Sequence, residues 1–535
     1  MKKALVILLA VLMLSSVALL AAGCQQTPAQ PGGQPGGQQP GGQQPGEAGE
    51  TTLILATASP PGALDPALEN DQPTSRITRQ IFQTLVYQDE NMDIVPGLAE
   101  SWEFIDERTV RFTLREGVRF HNGDILTAED VVFSINRASV APRVAIITQM
   151  IEEAIAVDAR TVDVRTEFPF APILSHLAHP ATGIVNKAVV EALGDDGHAQ
   201  APVGTGPFMF YRLVAGDRVE LVRFDDFNSV VPGLAPGQLP AMEHIIIRII
   251  PEASVRAIEV EAGTAHLAYD LASSDLHRLA GVDTVNVHMI PTLSLGDYIG
   301  FNMLVEPFDD IRVRKAINYA LDLETIIDVV YEGIGSPGVG PLTRTVWGAN
   351  TDLEMWPFDI ARARELMAEA GLEDGFSTTL MHNEGNPRRL AVAEIVQTQL
   401  RALNIDIAIR IYEMPVYLEM TAAGEHEMFI LGWVSVTGDP DYGLWPTFHS
   451  TSFGAPGNRT FYANDRVDYL LEIGRTSSDP NARLAAYHEA QQIIRDEVPW
   501  IFLWQGSSLE ASRADVRGFR PSPAGHHALW TVYIP

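Results

Sequence analysis

The sequence predicts a mixed fold of the α/β or α+β kind, on three observations. Short β-like runs alternate with amphipathic helical stretches from Thr51 onward, several of those helices carry start and stop residues, and no second long apolar stretch follows the first twenty or so residues. With 46% apolar residues in a chain of 535, there is enough material for cores spread over two or three lobes.

The N-terminus comes first in order. Lys2 and Lys3 precede the apolar run Ala4 to Leu20, and the small residues Ala21, Ala22 and Gly23 precede Cys24. Residues 1–23 therefore read as an export signal peptide, too short and too weakly flanked for a stable transmembrane helix. Cys24 is the only cysteine, which excludes an internal disulfide, a Cys-rich metal site and a Cys-x-x-Cys redox pair. Leu20 to Cys24 resembles a bacterial lipoprotein signal, although Ala21 stands where Leu is usual. That resemblance implies lipidation of Cys24 and anchoring to the cell membrane without spanning it. Gln25 to Gly49 is almost entirely Gln, Gly and Pro, so residues 24–50 read as a lipidated, disordered tether with a reach of about 25 to 30 Å.

In the folded part, strand candidates are Thr52 to Ala56, Val110 to Leu114, Val219 to Val222, His244 to Ile250, Ile405 to Ile411 and Met428 to Gly432. The continuous run Ile245, Ile246, Ile247 predicts a strand covered on both faces. Asn122-Gly123 predicts a hairpin turn. Thr127 with Asp130 forms a capping-box pattern that opens a helix over Ala128 to Ala138. Asp310 caps a helix with Val313, Ile317, Ala320 and Leu321 on one face. Asp359 to Ala370 stops at Gly371, and Asp479-Pro480 places a cap and an N1 proline before Asn481 to Glu497. No linker after Gly49 separates independent domains.

Charge and motifs narrow the function. There are 68 acidic against 37 basic residues, a net charge of −31, and the lysines are Lys2, Lys3, Lys187 and Lys315 alone. A nucleic-acid partner is excluded on this pattern, because phosphate neutralisation needs clustered Lys and Arg. None of the lysines follows a glycine, which removes a phosphate loop, and no Gly-x-Ser-x-Gly elbow or His-Glu-x-x-His pair is present. His526-His527 is adjacent and on a strand would point its rings to opposite faces, so no metal site is assigned. Asp225-Asp226 and Asp309-Asp310 read as caps or solvated turns. The expectation is a non-enzyme without cofactor.

Four stretches resemble the bacterial extracellular solute-binding proteins of family 5, the peptide, glutathione, nickel and haem binding components of ABC importers. They are Val95 to Glu103 (VPGLAESWE) running on through Leu114 to Gly123 (LREGVRFHNG) and Thr127 to Val131; Pro202 to Phe208 (PVGTGPF); Tyr298 to Asn302 with Pro307 to Asp310 and Arg312 to Ala316; and Gly432-Trp433 through Gly438 to Asp441 (GDPD), ending near Phe448 to Ser450. The resemblance extends over nearly all of residues 51 to 535. It implies a three-lobed α/β body of the periplasmic-binding-protein type (type II), with the ligand cleft between two large lobes. Lobe one would comprise 51–93, 203–295 and 501–535, the smaller lobe 94–202, and the second large lobe 296–500.

The resemblance also implies ligand contacts. In dipeptide binders of this family an aspartate a few residues after the Gly-Trp pair meets the ligand amine, and Val436 holds that place here. An ammonium facing valine lacks a charge-assisted hydrogen bond. Asp439 is the substitute amine anchor expected on this reading. Trp433, Tyr442 and Trp445 offer flat surfaces for side chains or peptide planes. Asn302 is the expected polar contact to ligand backbone, and Arg388, in the pair Arg388-Arg389, the expected carboxylate anchor. The function implied is an extracytoplasmic, monomeric, lipid-anchored receptor that captures short peptides and delivers them to permease subunits. A nickel-chelate or haem carrier of the same fold is the alternative, and an exported peptidase is the third reading.

Overall fold

A computed structural model describes residues 51–535 of the chain. The expected signal peptide, Cys24 and the expected tether lie outside the described residues. Among those described, no helix is long and apolar enough to cross a membrane.

Two sheets and a short hairpin organise the body. The larger sheet has eleven strands in the order Asp406–Tyr412, Ser377–Asn383, Met428–Val434, Val285–Phe301, Trp500–Arg513, Leu267–Ala268, Thr52–Thr57, His244–Ile249, Arg218–Arg223 and Phe208–Val214, with Ser336–Pro337 pairing onto Trp500–Arg513. Parallel and antiparallel pairs mix in it: Thr52–Thr57 runs parallel to His244–Ile249, which runs antiparallel to Arg218–Arg223. The smaller sheet is an antiparallel set of four, Ala99–Phe104, Thr109–Leu114, Thr161–Thr166 and Ile151–Ala156.

Two long strands carry the large sheet from one half to the other. Val285–Phe301 pairs with Trp500–Arg513 along most of its length; near Ser512 the latter meets Leu267–Ala268, and at Ser294 to Phe301 the former meets Met428–Val434. Between Pro291 and Tyr298 the ladder shifts register three times. Such bulges break the regular hydrogen bonding and bend a strand, so the joint between the halves is the least regular stretch of the sheet.

Each region has its own apolar core. One half is filled by residues such as Leu53, Ile77, Phe208, Ile245 and Trp530, the other by Ile299, Val313, Val396, Met428 and Ile501, and the small sheet by Phe112, Phe120, Val131 and Val164. The run Ile245 to Ile247 does not read as the sequence predicts: Ile245 and Ile247 are buried but Ile246 is half-buried, because only one face of this strand carries the main core.

The helix signals work as written. Thr127 Oγ1 accepts from the Asp130 amide and Asp130 Oδ2 accepts from the Thr127 amide at 3.0 Å, opening Ala128–Ser139. Asp310 caps Ile311–Tyr319, Asp359 caps Ile360–Glu369 with Gly371 in the left-handed region (φ +74°), and Asp479 caps Pro480–Glu497. The Asn122-Gly123 turn is present, with Gly123 donating to Phe120 O at 2.8 Å.

Candidate functional site

A cavity of about 490 Å³ opens between the small-sheet region and the second half of the large sheet. Its aromatic wall is built by chain order and helical spacing. Trp433 leaves the strand Met428–Val434, and Tyr442 and Trp445, three apart, lie on one face of the helix Pro440–Phe448. Trp433 Nε1 donates to the Tyr442 carbonyl at 2.9 Å, which fixes the indole against that helix. Phe168 and Phe170, from the loop after Thr161–Thr166, close the opposite wall edge-to-face at 5.7 Å.

Charge enters the cavity through Arg475 and Glu167. Arg475 forms a two-pronged pair with Asp441 at 2.8 and 2.9 Å, and its guanidinium lies 3.6 Å over the Trp445 ring. Its carbonyl accepts from the Ala171 amide at 2.7 Å, pinning the small-sheet loop to the helix Asp465–Thr476. Glu167 is exposed and has no ion-pair partner among the described residues. Burial pushes the Tyr442 phenol up to about 12. His176, whose Nδ1 lies 2.8 Å from the Ile147 carbonyl, is held below the usual imidazole range by burial.

A second cavity of about 300 Å³ lies against the crossing strands, between Asp270 to Ser273 on one side and Tyr331 to Ile334 on the other. Arg388 and Trp504 line it, and Arg388 is exposed without a hydrogen bond or ion pair among the described residues. Its neighbour Arg389 turns inward: Nε meets Asp297 at 2.7 Å and Nη1 meets Asn383 at 2.6 Å, while the Tyr331 hydroxyl donates to Asp297 at 2.7 Å. The helix Pro387–Leu400 thus presents one arginine to solvent and commits the next to the core.

Residues 93–455 match the family described as bacterial extracellular solute-binding proteins, family 5 Middle. The chain belongs to that family. It is 28% identical over 514 residues to the dipeptide-binding protein of Escherichia coli (strain K12), covering 90% of this chain and 94% of that one. It is 30% identical over 481 residues to the glutathione-binding protein GsiB of Pectobacterium atrosepticum, covering 88% and 91%. HbpA2 from Haemophilus parasuis superposes with a TM-score of 0.83 at 26% identity, over 90% of this chain and 100% of that chain. The fold is accordingly the type II solute-binding fold of ABC-importer receptors, the family to which relatives named for dipeptide and glutathione binding belong.

In this family 5 member, two of the expected ligand contacts hold other positions. Asp439 is 1% exposed, caps the helix Pro440–Phe448 by accepting from the Asp441 amide at 3.0 Å, and takes both oxygens to Arg483 Nη2 at 2.8 and 2.7 Å. Burial pulls the Arg483 guanidinium down, and the Asp439 carboxylate outweighs it, so the net shift is upward. The carboxylate is already paired and capped, so a ligand amine reaching it would have to share it with Arg483. Asn302 is fully buried, with Nδ2 donating to the Gly424 and His426 carbonyls at 3.0 and 2.8 Å and Oδ1 accepting from the Leu304 amide at 3.1 Å. Its amide knits loops together, with both Nδ2 hydrogens committed to backbone carbonyls.

Trp433, Tyr442 and Trp445 do meet in one cavity, and Arg388 lines a different one. Phe168, Phe170, Glu167, Arg475, Tyr331 and Trp504 escaped the sequence reading. Only the Phe168-Pro169-Phe170 run carried a local signal, apolar residues in a turn; the rest depended on which helices pack together.

Proposed function

We propose that this family 5 protein is the capture component of an ABC importer for short peptides, a dipeptide, an oligopeptide or a glutathione-like compound, and that it hands its cargo as a monomer to permease subunits. Lipidation at Cys24 and the Gln/Gly/Pro tether hold it to the extracytoplasmic membrane face in this reading. The three lobes follow the divisions 51–93, 203–295 and 501–535 for the first, 94–202 for the smaller and 296–500 for the second large lobe. Closure on ligand couples capture to a shape that a permease reads.

The observation that carries the peptide reading is the aromatic cavity with Glu167 on its wall, which on these divisions is lined by the smaller and the second large lobe, while the cavity that Arg388 lines falls between the two large lobes. Trp433, Tyr442 and Trp445 suit amide planes and apolar side chains, and the unpaired Glu167 carboxylate suits an ammonium where Val436 offers none. Arg388, unpaired on the second cavity, suits a carboxylate.

Native mass spectrometry of the purified mature protein, with and without a panel of dipeptides and glutathione, tests this. Retained peptide supports the reading; bound haem or metal moves the protein to the carriers of those ligands, and time-dependent cleavage products make it an enzyme. Trp433→Ala and Glu167→Gln are each expected to weaken peptide binding about tenfold or more in titration calorimetry, consistent with the weight aromatic and charged anchors carry at binding sites.

A further inference from the structure

Among the described residues, every arginine that is not exposed has a hydrogen-bond or ion-pair partner except Arg79. Arg79 lies in the last turn of the helix Gln72–Ile81, with its guanidinium 5.3 Å over the Tyr87 ring and 5.6 Å over the Trp530 ring. Its Nε is buried and meets no acceptor, although part of the side chain reaches accessible space. Other buried arginines show how this fold normally satisfies such a group: Arg256 donates to the Ile250 and Tyr269 carbonyls, and Arg314 to those of Phe308 and Glu497. A cation with a desolvated N–H that meets no acceptor is disfavoured, and two aromatic faces offset only part of that.

Two imidazoles complete the picture. His179 Nδ1 accepts from the Ala181 amide at 3.1 Å, so the neutral ring carries its proton on Nε2, and that N–H has no acceptor among the described residues. His526 meets His179 edge-on, with centroids 5.7 Å apart, and its ring makes no hydrogen bond among the described residues. Burial is the largest cause holding both rings neutral, with His179 lowered to about 3 and His526 lowered well below its ordinary value. The nearby charges are already matched: Arg76 pairs with Asp270 at 2.7 Å and His527 with Glu510 at 2.6 Å.

Gln80, next to Arg79, donates Nε2 to the His527 carbonyl at 2.9 Å, and the Arg79 charge is among the causes that hold both rings neutral. One guanidinium and two imidazoles therefore lie near one another with neither counter-ion nor acceptor among the described residues. We propose that Arg79, His179 and His526 form a binding site for a small carboxylate or comparable oxyanion. A planar guanidinium matches a carboxylate edge, and imidazole N–H groups add directional donors without further charge. The site joins the helix Gln72–Ile81 and the C-terminal segment to the segment that follows His176, which lines the aromatic cavity. It stands whether or not the aromatic cavity takes a peptide.

Thermal unfolding of the full mature protein in acetate against chloride, at equal ionic strength, tests the site without any peptide. Wild type is expected to gain a saturable acetate-specific rise in midpoint that Arg79→Met lacks. In chloride, Arg79→Met is expected to melt no lower than wild type, because it removes a half-buried charge that has no partner among the described residues. Should that variant fail to fold, His526→Phe, which keeps an aromatic ring, is expected to weaken the acetate effect. The source of the anion is read separately, by titrating a dipeptide that the protein retains and the C-terminal amide of the same dipeptide. If the ligand's own carboxylate occupies the site, the amide binds about tenfold more weakly to wild type and equally to Arg79→Met. If a free anion occupies it, acid and amide bind alike and the acetate effect remains. No acetate-specific effect, together with unchanged acid-over-amide discrimination in Arg79→Met, overturns the proposal.

Discussion

Asp439 and Arg388 divide between structure and solvent for reasons that only their neighbours supply. Asp439 sits two residues before Asp441 at a helix N-terminus, where a carboxylate is favoured by the first amides and the dipole, and Arg483 arrives from a helix forty-four positions on to complete it. Removing one member of such a buried pair leaves the other unmatched. Asp439→Asn is therefore expected to lose about 3 to 5 kcal/mol of stability in urea unfolding. At temperatures where the variant stays folded, its peptide affinity is expected to remain within about twofold of wild type, and a larger loss of affinity would return Asp439 to the ligand.

Helices and strands show two different levels of legibility. The caps at Thr127, Asp310, Asp359 and Asp479 were readable because a cap is a contact within four residues. Thr127→Ala should accordingly cost about 1 kcal/mol, measured as a shift in denaturant midpoint. The long strands Val285–Phe301 and Trp500–Arg513 gave no such signal; neither keeps a regular alternation of buried and open positions, because each passes from one core to the other. At their crossing, a Cβ on Gly296 would stand 2.0 Å from Trp504, whose ring is stacked on Tyr331 at 4.3 Å and has little room to move. Gly296→Ala is expected to destabilise by about 1 to 3 kcal/mol through overpacking and to reshape the cavity that Arg388 and Trp504 line, visible as a lowered thermal midpoint and altered tryptophan fluorescence.

Across the whole molecule, Asp65 ties distant segments together: its buried carboxylate accepts from Arg137 at 2.8 and 3.1 Å and lies 2.5 Å from His198 Nδ1. Burial by itself raises this carboxyl, but the hydrogen bonds from His198 and Arg137 outweigh it, and the net value falls below 3.8. A lowered folded value means that the contribution is fully present above the unfolded value and is lost as pH falls through the folded one. Wild type should thus lose more stability than Asp65→Asn between pH 6 and pH 3, read as the change in urea midpoint. The sequence by itself determined the mixed α/β class, the helix starts and the family, because these rest on local hydrogen bonding, side-chain periodicity and runs of contiguous residues. The tertiary structure alone decided which charges are free. Asp439 and Asn302 are engaged by partners far along the chain, while Arg79 meets no hydrogen-bond or ion-pair partner among the described residues, and pairing in a buried place depends on packing that no local pattern encodes.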